Sequence, residues 1–482
     1  MDRAKRTINI VGSGPNGLTA AAYLARAGLP VRVLEGSQTP GGGCRSEELT
    51  LPGFTHDVCS TVHPMGLSSP AFKSLDLSTA GLHWAHAPIA LAHPLDDGDC
   101  AFLPVSMNEA VLALGKDGAA YRKLFEPLAN RWDELLEDLL VPPHFPKHPL
   151  LFGGFGMQAL KSAEGLARSH FSCESTRALF AGMAAHAMLP LSTKGSAAFG
   201  LVLGASLHAV GWPLAISGSS SIVTALLGRV EELGGVIETG MPILSPSDLP
   251  DDGPTLLTMN PRQLISFGGE RLPASYLQGL KRFRYGPGVC KVDWALSEPI
   301  PWIAEQCRQA LTVHVGGTLE EINASEAEVN RGIHPERPYT IVVQPTLVDK
   351  SRAPEGKHVG WAYCHVPNGS PKEMTEQIEA QVERFAPGFR DCIMARHVRS
   401  AAAMEMYNPS YVGGDIGGGA QSLRQTLMRP VPTLNPHRIP QKDWYLCSAS
   451  TPPGGGVHGM CGLNAARLLM KDLGISRSET DG

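Results

Sequence analysis

The chain has 482 residues, more than one ordinary domain of roughly 100 to 200 residues holds, so two or three domains with a large buried core are expected. A formal net charge of -5, a pI near 6.4 and the lack of any long basic run exclude nucleic acid as a partner. The ten cysteines are scattered singly with no Cys-x-x-Cys pair, which argues against a disulfide framework or a zinc site and fits a reducing, cytoplasmic setting. The opening MDRAKRTINIVGSG passes from a few charges straight into an apolar run, without the longer apolar region of a signal peptide, so no export is expected.

Residues 7 to 12 (TINIVG) predict a strand entering glycine, Leu18 to Ala27 a helix stopped at Gly28, and PVRVLE a second strand. Strand, Gly-rich turn, helix and strand in about 30 residues make a right-handed parallel unit. From about 107 to 210 apolar residues recur at three and four, as in EAVLALGKDGAAYRKLFEPLANRWDELLEDLL, and predict helices capping a cavity. Gly195 to Gly228 contains no Asp, Glu, Lys or Arg and exceeds the roughly 20 residues that span a bilayer. His208, Gly211, Trp212, Pro213 and the run Ser217 to Ser221 interrupt it, so it reads as a buried helix, a turn and the start of another helix, with peripheral membrane contact the alternative. VCKVDWAL, YTIVVQPTLV and HVGWAYCHV predict strands of a second sheet, and KEMTEQIEAQVERFAPGF an amphipathic helix stopped at Pro387. Residues 245 to 254 read as a loop. The tail predicts a strand in DWYLCSAS, a Gly-rich turn and a closing helix in GMCGLNAARLLMKDLG.

Gly12-Ser13-Gly14-Pro15-Asn16-Gly17 is a G-x-G-x-x-G motif placed after a strand and before a helix. Gly12 permits the tight turn, Gly14 lets backbone approach a pyrophosphate, and Gly17 lets helix pack on strand, with phosphates on the free N–H groups of the helix N-terminus. Glu35, at the end of the second strand, can accept hydrogen bonds from both hydroxyls of an adenosine ribose and repels a 2'-phosphate. Gly41-Gly42-Gly43-Cys44-Arg45-Ser46 follows as a second Gly-rich turn, which a bare NAD site does not need.

With these residues the sequence resembles the flavin-containing amine oxidase and phytoene desaturase superfamily, in which a Gly-Gly pair six residues after the ribose acid is characteristic of FAD. LPGFTHDVCSTVHP (Leu51 to Pro64), GWPLAISGSSSIVTALLGRVEELGGVIETGMPI, GPGVCKVDWALSEPIPW and above all DWYLCSASTPPGGGVHGMCGLNAARLL continue the likeness toward its phytoene dehydrogenase-related branch. The resemblance implies FAD as cofactor, held by Gly12, Gly14, Asn16, Gly17, Glu35, Gly41, Gly42, Arg45, a backbone segment near Ile243, Ser450, Gly459 and Met460. The N-terminus of the closing helix would face the flavin, where negative charge gathers on reduction. Ser217-Gly218-Ser219-Ser220 departs from the usual Gly-Gly pair. The amine oxidases' acid near the ribityl chain and their aromatic cage have no counterpart, which weighs against amine oxidation.

His458, in the C-terminal turn, is the one candidate acid or base, with hydrogen bonding or packing as the alternative role. Lys291 alternates with apolar neighbours and reads as a strand-face lysine reaching solvent or a carboxylate. His83 with His86 and His144 with His148 have helical spacing, but no carboxylate or cysteine is seen to complete a metal site, and no metal is expected. The expected fold is α/β, a Rossmann-type FAD-binding domain (residues 1–75, 215–265 and 430–482) interleaved with a substrate domain (76–214 and 266–429) of mixed or antiparallel sheet plus helical cap. The expected function is hydride transfer between flavin and a carbon of an apolar or lipid-like small molecule. Oxygen and a quinone both fit as electron acceptor, and the absence of a second G-x-G-x-x-G argues against a separately bound NAD(P). The alternatives are a flavin amine oxidase, and a non-catalytic binding protein on the same fold, as in the GDP-dissociation inhibitors.

Overall fold

A computed structural model describes residues 6–250 and 253–475. The outermost parts of the expected cofactor domain, 1–5 and 476–482, and residues 251 and 252 of the expected loop lie outside the described residues. Among the described residues the first sheet has five parallel strands in the order Trp444–Leu446, Thr255–Leu257, Ile8–Val11, Val31–Leu34, Val236–Glu238. The chain therefore builds outward from Ile8–Val11 on one side, then returns to build on the other. The point where that order reverses is the crevice in which α/β sheets bind ligands, and Gly12 opens there.

The helix Pro15–Arg26 starts three residues after Gly12, with proline at its first position, where the missing N–H costs no bond. It packs against the closing helix, Met460–Leu473, and against Ser220–Glu232. The contact with the closing helix has no room for a side chain: a Cβ on Gly462 would fall 1.8 Å from the carbonyl oxygen of Asn16.

The second sheet has seven strands, in the order Ile393–Arg399, Gly288–Leu296, His358–Val366, Thr340–Val343, Ala310–Val315, Ile89–Pro94, Cys100–Pro104. All pairings are antiparallel except that of Ala310–Val315 with Ile89–Pro94. Its outer face, with Val292, Trp294, Val313 and Cys364, packs on the helix Thr375–Phe385 through Ile378 and Val382. Its inner face turns Lys291, Asp293, Trp361, Tyr363 and His365 the other way, as the two-residue period demands. Helices from Met107 to Val210 lie on that side, and the charge-free segment forms the helix Ala197–Val210, a turn, and the helix Ser220–Glu232. Among the described residues no helix is long and apolar enough to cross a membrane.

One buried carboxylate ties distant segments of the chain together. Asp57 accepts hydrogen bonds from Ser46 Oγ at 2.7 Å, Thr61 Oγ1 at 2.6 Å and both the amide and hydroxyl of Ser219 at 2.7 Å. Arg352 reaches it at 3.1 Å while also binding Asp349 at 2.8 Å, and Asp349 accepts from the Ser217 amide at 2.7 Å. Burial opposes ionisation of Asp57, but Arg352, Ser219 and Thr61 together hold its carboxyl well below the usual carboxylate range.

Two outcomes are expected. Gly462→Ala forces backbone apart and lowers unfolding free energy by about 3 kcal/mol, read from the shift of the urea midpoint. Asp57→Ala leaves Arg352 with Asp349 but takes the acceptor from the buried donors of Ser46, Thr61 and Ser219, and costs about 3 to 5 kcal/mol near neutral pH. Because the folded pKa of Asp57 lies below the unfolded value of about 3.9, its contribution is complete above that pH and is lost as pH falls further. Urea titrations at descending pH are therefore expected to show wild type and variant converging below about pH 4.

Candidate cofactor and active site

At the crevice, sterics dictate two of the three motif glycines. A Cβ on Gly12, whose φ is +99°, would sit 2.0 Å from Thr258 Oγ1, and one on Gly17 would sit 2.0 Å from the Gly12 carbonyl oxygen. Gly14 is the N-cap of the first helix in extended conformation and offers no side-chain cap. The helix's first amides are thus left for an outside acceptor. The second Gly-rich turn lies opposite: a Cβ on Gly42 would stand 3.1 Å from the Gly14 Cα. Two turns facing each other with hydrogens alone fit a pyrophosphate between or along them. Asn16 Oδ1 and Thr19 Oγ1, both buried, have no hydrogen-bond partner within the protein.

Ser13 joins these parts. Its amide and hydroxyl donate to Glu35 Oε2 at 2.8 and 2.5 Å, and its oxygen accepts from the Gly41 amide at 3.3 Å. Glu35 Oε1 accepts from the Ser37 amide at 2.9 Å. Each carboxylate oxygen has lone pairs for more than one donor, so Glu35 keeps acceptor capacity for hydroxyls. The segment leading to Ile243 is held to the backbone of Glu35, with the Met241 amide on the Glu35 carbonyl at 2.8 Å. The Arg45 guanidinium turns under its own loop, donating to Thr39 O at 2.7 and 3.0 Å, and lies 3.8 Å from Glu35. Arg45 thus braces the turn. Ser13 and Thr258 were not singled out from sequence, although Ser13 sits inside the motif. Nothing local marks Thr258, which reaches Gly12 only through the sheet.

The C-terminal turn closes the other side. Ser450 is buried, its amide on Ser448 Oγ at 3.2 Å. Gly459 caps the closing helix with φ +67°, and a Cβ there would meet Thr19 Oγ1 at 2.3 Å. His458 is buried, and its Nδ1 accepts the Met460 amide at 3.0 Å. Its other hydrogen bond goes to the Gly455 backbone, and desolvation lowers its pKa to about 4. Both sides of the ring are therefore engaged by protein, and the imidazole is neutral at ordinary pH. The N–H of Met460, a residue expected at the cofactor, is capped by His458 within the chain.

The inner sheet face holds what sequence reading largely missed. Of the two ends expected for Lys291, solvent or a carboxylate, it takes the carboxylate: it is buried and bonded to both oxygens of Asp293, two residues along the same strand, and stands 5.5 Å from the centre of the Trp361 ring. Burial lowers the Lys291 pKa against the opposing pull of Asp293. Asp293 also has His56 at 3.6 Å and His397 at 3.7 Å, and desolvation brings His56 to about 4. Farther along, His365 contacts Glu326 at 2.7 Å and His186 contacts His314 at 3.1 Å. The i, i+2 spacing of Lys291 and Asp293 on a strand was a readable signal for their pairing.

Of the spaced histidines, His144 and His148 have carboxylates beside them. His144 lies 3.0 Å from Asp138, and His148 lies 3.0 Å from Glu134 and 3.4 Å from Glu137. These are pairwise contacts, and among the described residues no group of three or more His, Cys, Asp or Glu is arranged to hold a metal. All ten cysteines are free.

A parallel sheet with a glycine cradle at its switch point, beside an aromatic and titratable face of a second sheet, defines a dinucleotide-binding fold of the Rossmann type. Residues 10–75 match the NAD(P)-binding Rossmann-like domain family. The pyridine nucleotide-disulfide oxidoreductase domain-containing protein 2 of Mus musculus is 25% identical over 96% of this chain and 93% of its own length. The 4,4'-diapolycopen-4-al dehydrogenase of Metabacillus indicus is 32% identical over 26% of each chain. In fold, the chain is similar to an oxidoreductase from Methanosarcina mazei (TM-score 0.64, 17% identity, 97% of this chain and 100% of that one). It is also similar to putrescine oxidase bound to putrescine (TM-score 0.60, 15% identity, 97% and 99%). These likenesses accord with the chain's resemblance to the amine oxidase and phytoene desaturase superfamily, and it is an oxidoreductase.

His458→Gln removes a ring that caps a helix and titrates far below neutrality. It is expected to lower stability by about 1 kcal/mol, the usual value of a helix cap, and to leave the ionisations in the pH profile of cofactor reduction unchanged. Single-turnover reduction from about pH 5 to 9 checks this, since loss of an ionisation together with a roughly hundredfold slower step would make His458 an acid or base.

Proposed function

We propose that this chain binds FAD and transfers hydride between the flavin and a carbon of an apolar, lipid-like substrate. The observation that carries the cofactor reading is the Ser13 lock, which couples Glu35 to both Gly-rich turns. A single nicotinamide site has use for one such turn, and the second turn facing Gly14 is what a flavin dinucleotide adds. In this reading Gly12, Gly14, Asn16, Gly17, Gly41 and Gly42 hold the pyrophosphate, Glu35 the ribose, and the segment at Ile243 the adenine. Arg45 stiffens the second turn, and Ser450, Gly459 and Met460 line the flavin side. Residues 1–75, 215–265 and 430–482 form the cofactor unit, and 76–214 and 266–429 the substrate unit. FAD when bound supplies the hydride-accepting and hydride-donating chemistry. The protein's part is to place the substrate between the helices and the inner sheet face, where Trp361 and Tyr363 give aromatic surface. The similarity to a carotenoid aldehyde dehydrogenase supports a carbon substrate of low polarity. Oxygen or a quinone would reoxidise the cofactor.

Purified protein is expected to be yellow and, without oxygen, to bleach with polyenes or fatty aldehydes. Bleaching by amines alone, or no flavin retained after incubation with FAD, overturns the proposal. Glu35→Ala loses a charge-assisted hydrogen bond to the ribose, about 1.5 to 3 kcal/mol, so FAD affinity is expected to fall roughly ten- to over a hundredfold. Equal flavin occupancy of variant and wild type on dilution would refute the ribose assignment.

A further inference from the structure

A helix on the surface of a globular domain normally sends apolar residues inward and polar ones to water. The helix Pro149–Ala159, PLLFGGFGMQA, does not. Leu151, Phe155 and Ala159 are buried, but the opposite side is also apolar: Leu150 is 91% exposed and Met157 69%. Between them Gly153 and Gly154 have open space where a side chain would be. Phe145, just before the helix, is 86% exposed, and Leu160, just after it, is exposed too. The surface continues onto a second element. The Gly195 amide bonds the Leu160 carbonyl at 3.2 Å, Leu423 packs 3.5 Å from the Cβ position of Gly195, and exposed Leu427 follows one turn later. Single exposed apolar residues are ordinary, but a contiguous set marks an interaction surface.

Charge selects the occupant. Lys161, Lys194 and Arg424 are exposed at the Leu160 end of this surface, and none has a carboxylate within ion-pair distance among the described residues; Lys161 reaches only Gln158, at 2.8 Å. At the far edge Lys147 is paired with Glu137, and His148 with Glu134 and Glu137. The unbalanced charge is therefore positive. A second copy docking the same surfaces would bring no surplus carboxylate to answer these cations, since those at the far edge are already paired, whereas an anionic bilayer satisfies both features, with apolar side chains among acyl chains and cations at the lipid phosphates. Eleven residues are too few to span the bilayer, so the helix lies in its plane.

We propose that this face docks the protein on anionic lipid bilayers, with Phe145, Leu150 and Met157 entering the interface and Lys161, Lys194 and Arg424 meeting headgroup phosphates. The inference is independent of the substrate reading. The test is flotation of the full chain, as purified, with vesicles of phosphatidylcholine alone or mixed with phosphatidylglycerol. Strong binding to the mixed vesicles, weak binding to neutral ones and loss at high salt are expected. The triple variant K161E/K194E/R424E is expected to lower binding to mixed vesicles by roughly a hundredfold, about fivefold per cation lost. L150S/M157S is expected to weaken binding to both kinds of vesicle with an unchanged thermal melt, because both side chains are in solvent. Failure of the wild type to float, or flotation unaffected by either variant, overturns the proposal. So does a concentration-dependent dimer in sedimentation velocity that L150S/M157S dissolves while lipid binding is absent, which would assign the face to a second copy.

Discussion

The arrangement of this molecule depends on a charge placed where water cannot reach it. Asp57 is buried, and its partners come from four separate stretches of chain: Ser46, Thr61, Ser219 and Arg352. A buried carboxylate is tolerable only when its lone pairs are filled. Arg352 neutralises one charge but also binds Asp349, leaving the trio with an excess negative charge. Neutral donors carry the remainder: hydroxyls at 46, 61 and 219, and amides at 217 and 219.

That requirement fixes the site from beneath. Ser46 directly follows the second Gly-rich turn, and Ser219 lies at the start of the helix Ser220–Glu232, whose Val223 is within 3.3 Å of the Cβ position of Gly41. Anchoring both on one carboxylate sets the height of Gly41 and Gly42 over Gly14. It also explains the departure at Ser217-Gly218-Ser219-Ser220. Gly218 must remain glycine, since a Cβ would fall 2.3 Å from Ser46 Oγ. A serine at 219 supplies two hydrogen bonds to Asp57 that a glycine would halve.

What could be read in the sequence was what local rules decide. The first strand, turn and helix, the end of the second strand at Glu35, and the closing helix each carry their own signals, and they lie where those signals put them. Asp57 stands in a quoted stretch, yet its partners are 162 and 295 residues away, and no local pattern reports that distance. The strand Ile89–Pro94 escaped for a different reason: it is buried at every position, and its run IALA lacks the alternation that marks a strand. Ala310–Val315 does alternate, from Leu311 to Val315, although it too is buried throughout. Cys100–Pro104 was passed over between a buried strand and a helical region. Ile393–Arg399, an edge strand half in solvent, carries charges that mask it.

The inner sheet face bears on which substrates such a site can accept. It is rich in titratable groups, but desolvation and pairing leave little free charge there. Lys291 and Asp293 answer each other, and His56, His186 and His314 are pushed toward the neutral form by burial. A cationic substrate would need a carboxylate to replace its lost hydration, and Asp293 is already engaged by Lys291. An apolar chain makes no such demand, because it can lie on the aromatic faces of Trp361 and Tyr363 while the ionic pair beneath stays intact. The pairing of Lys291 with Asp293 therefore supports the reading in which the substrate is a hydrocarbon-like molecule.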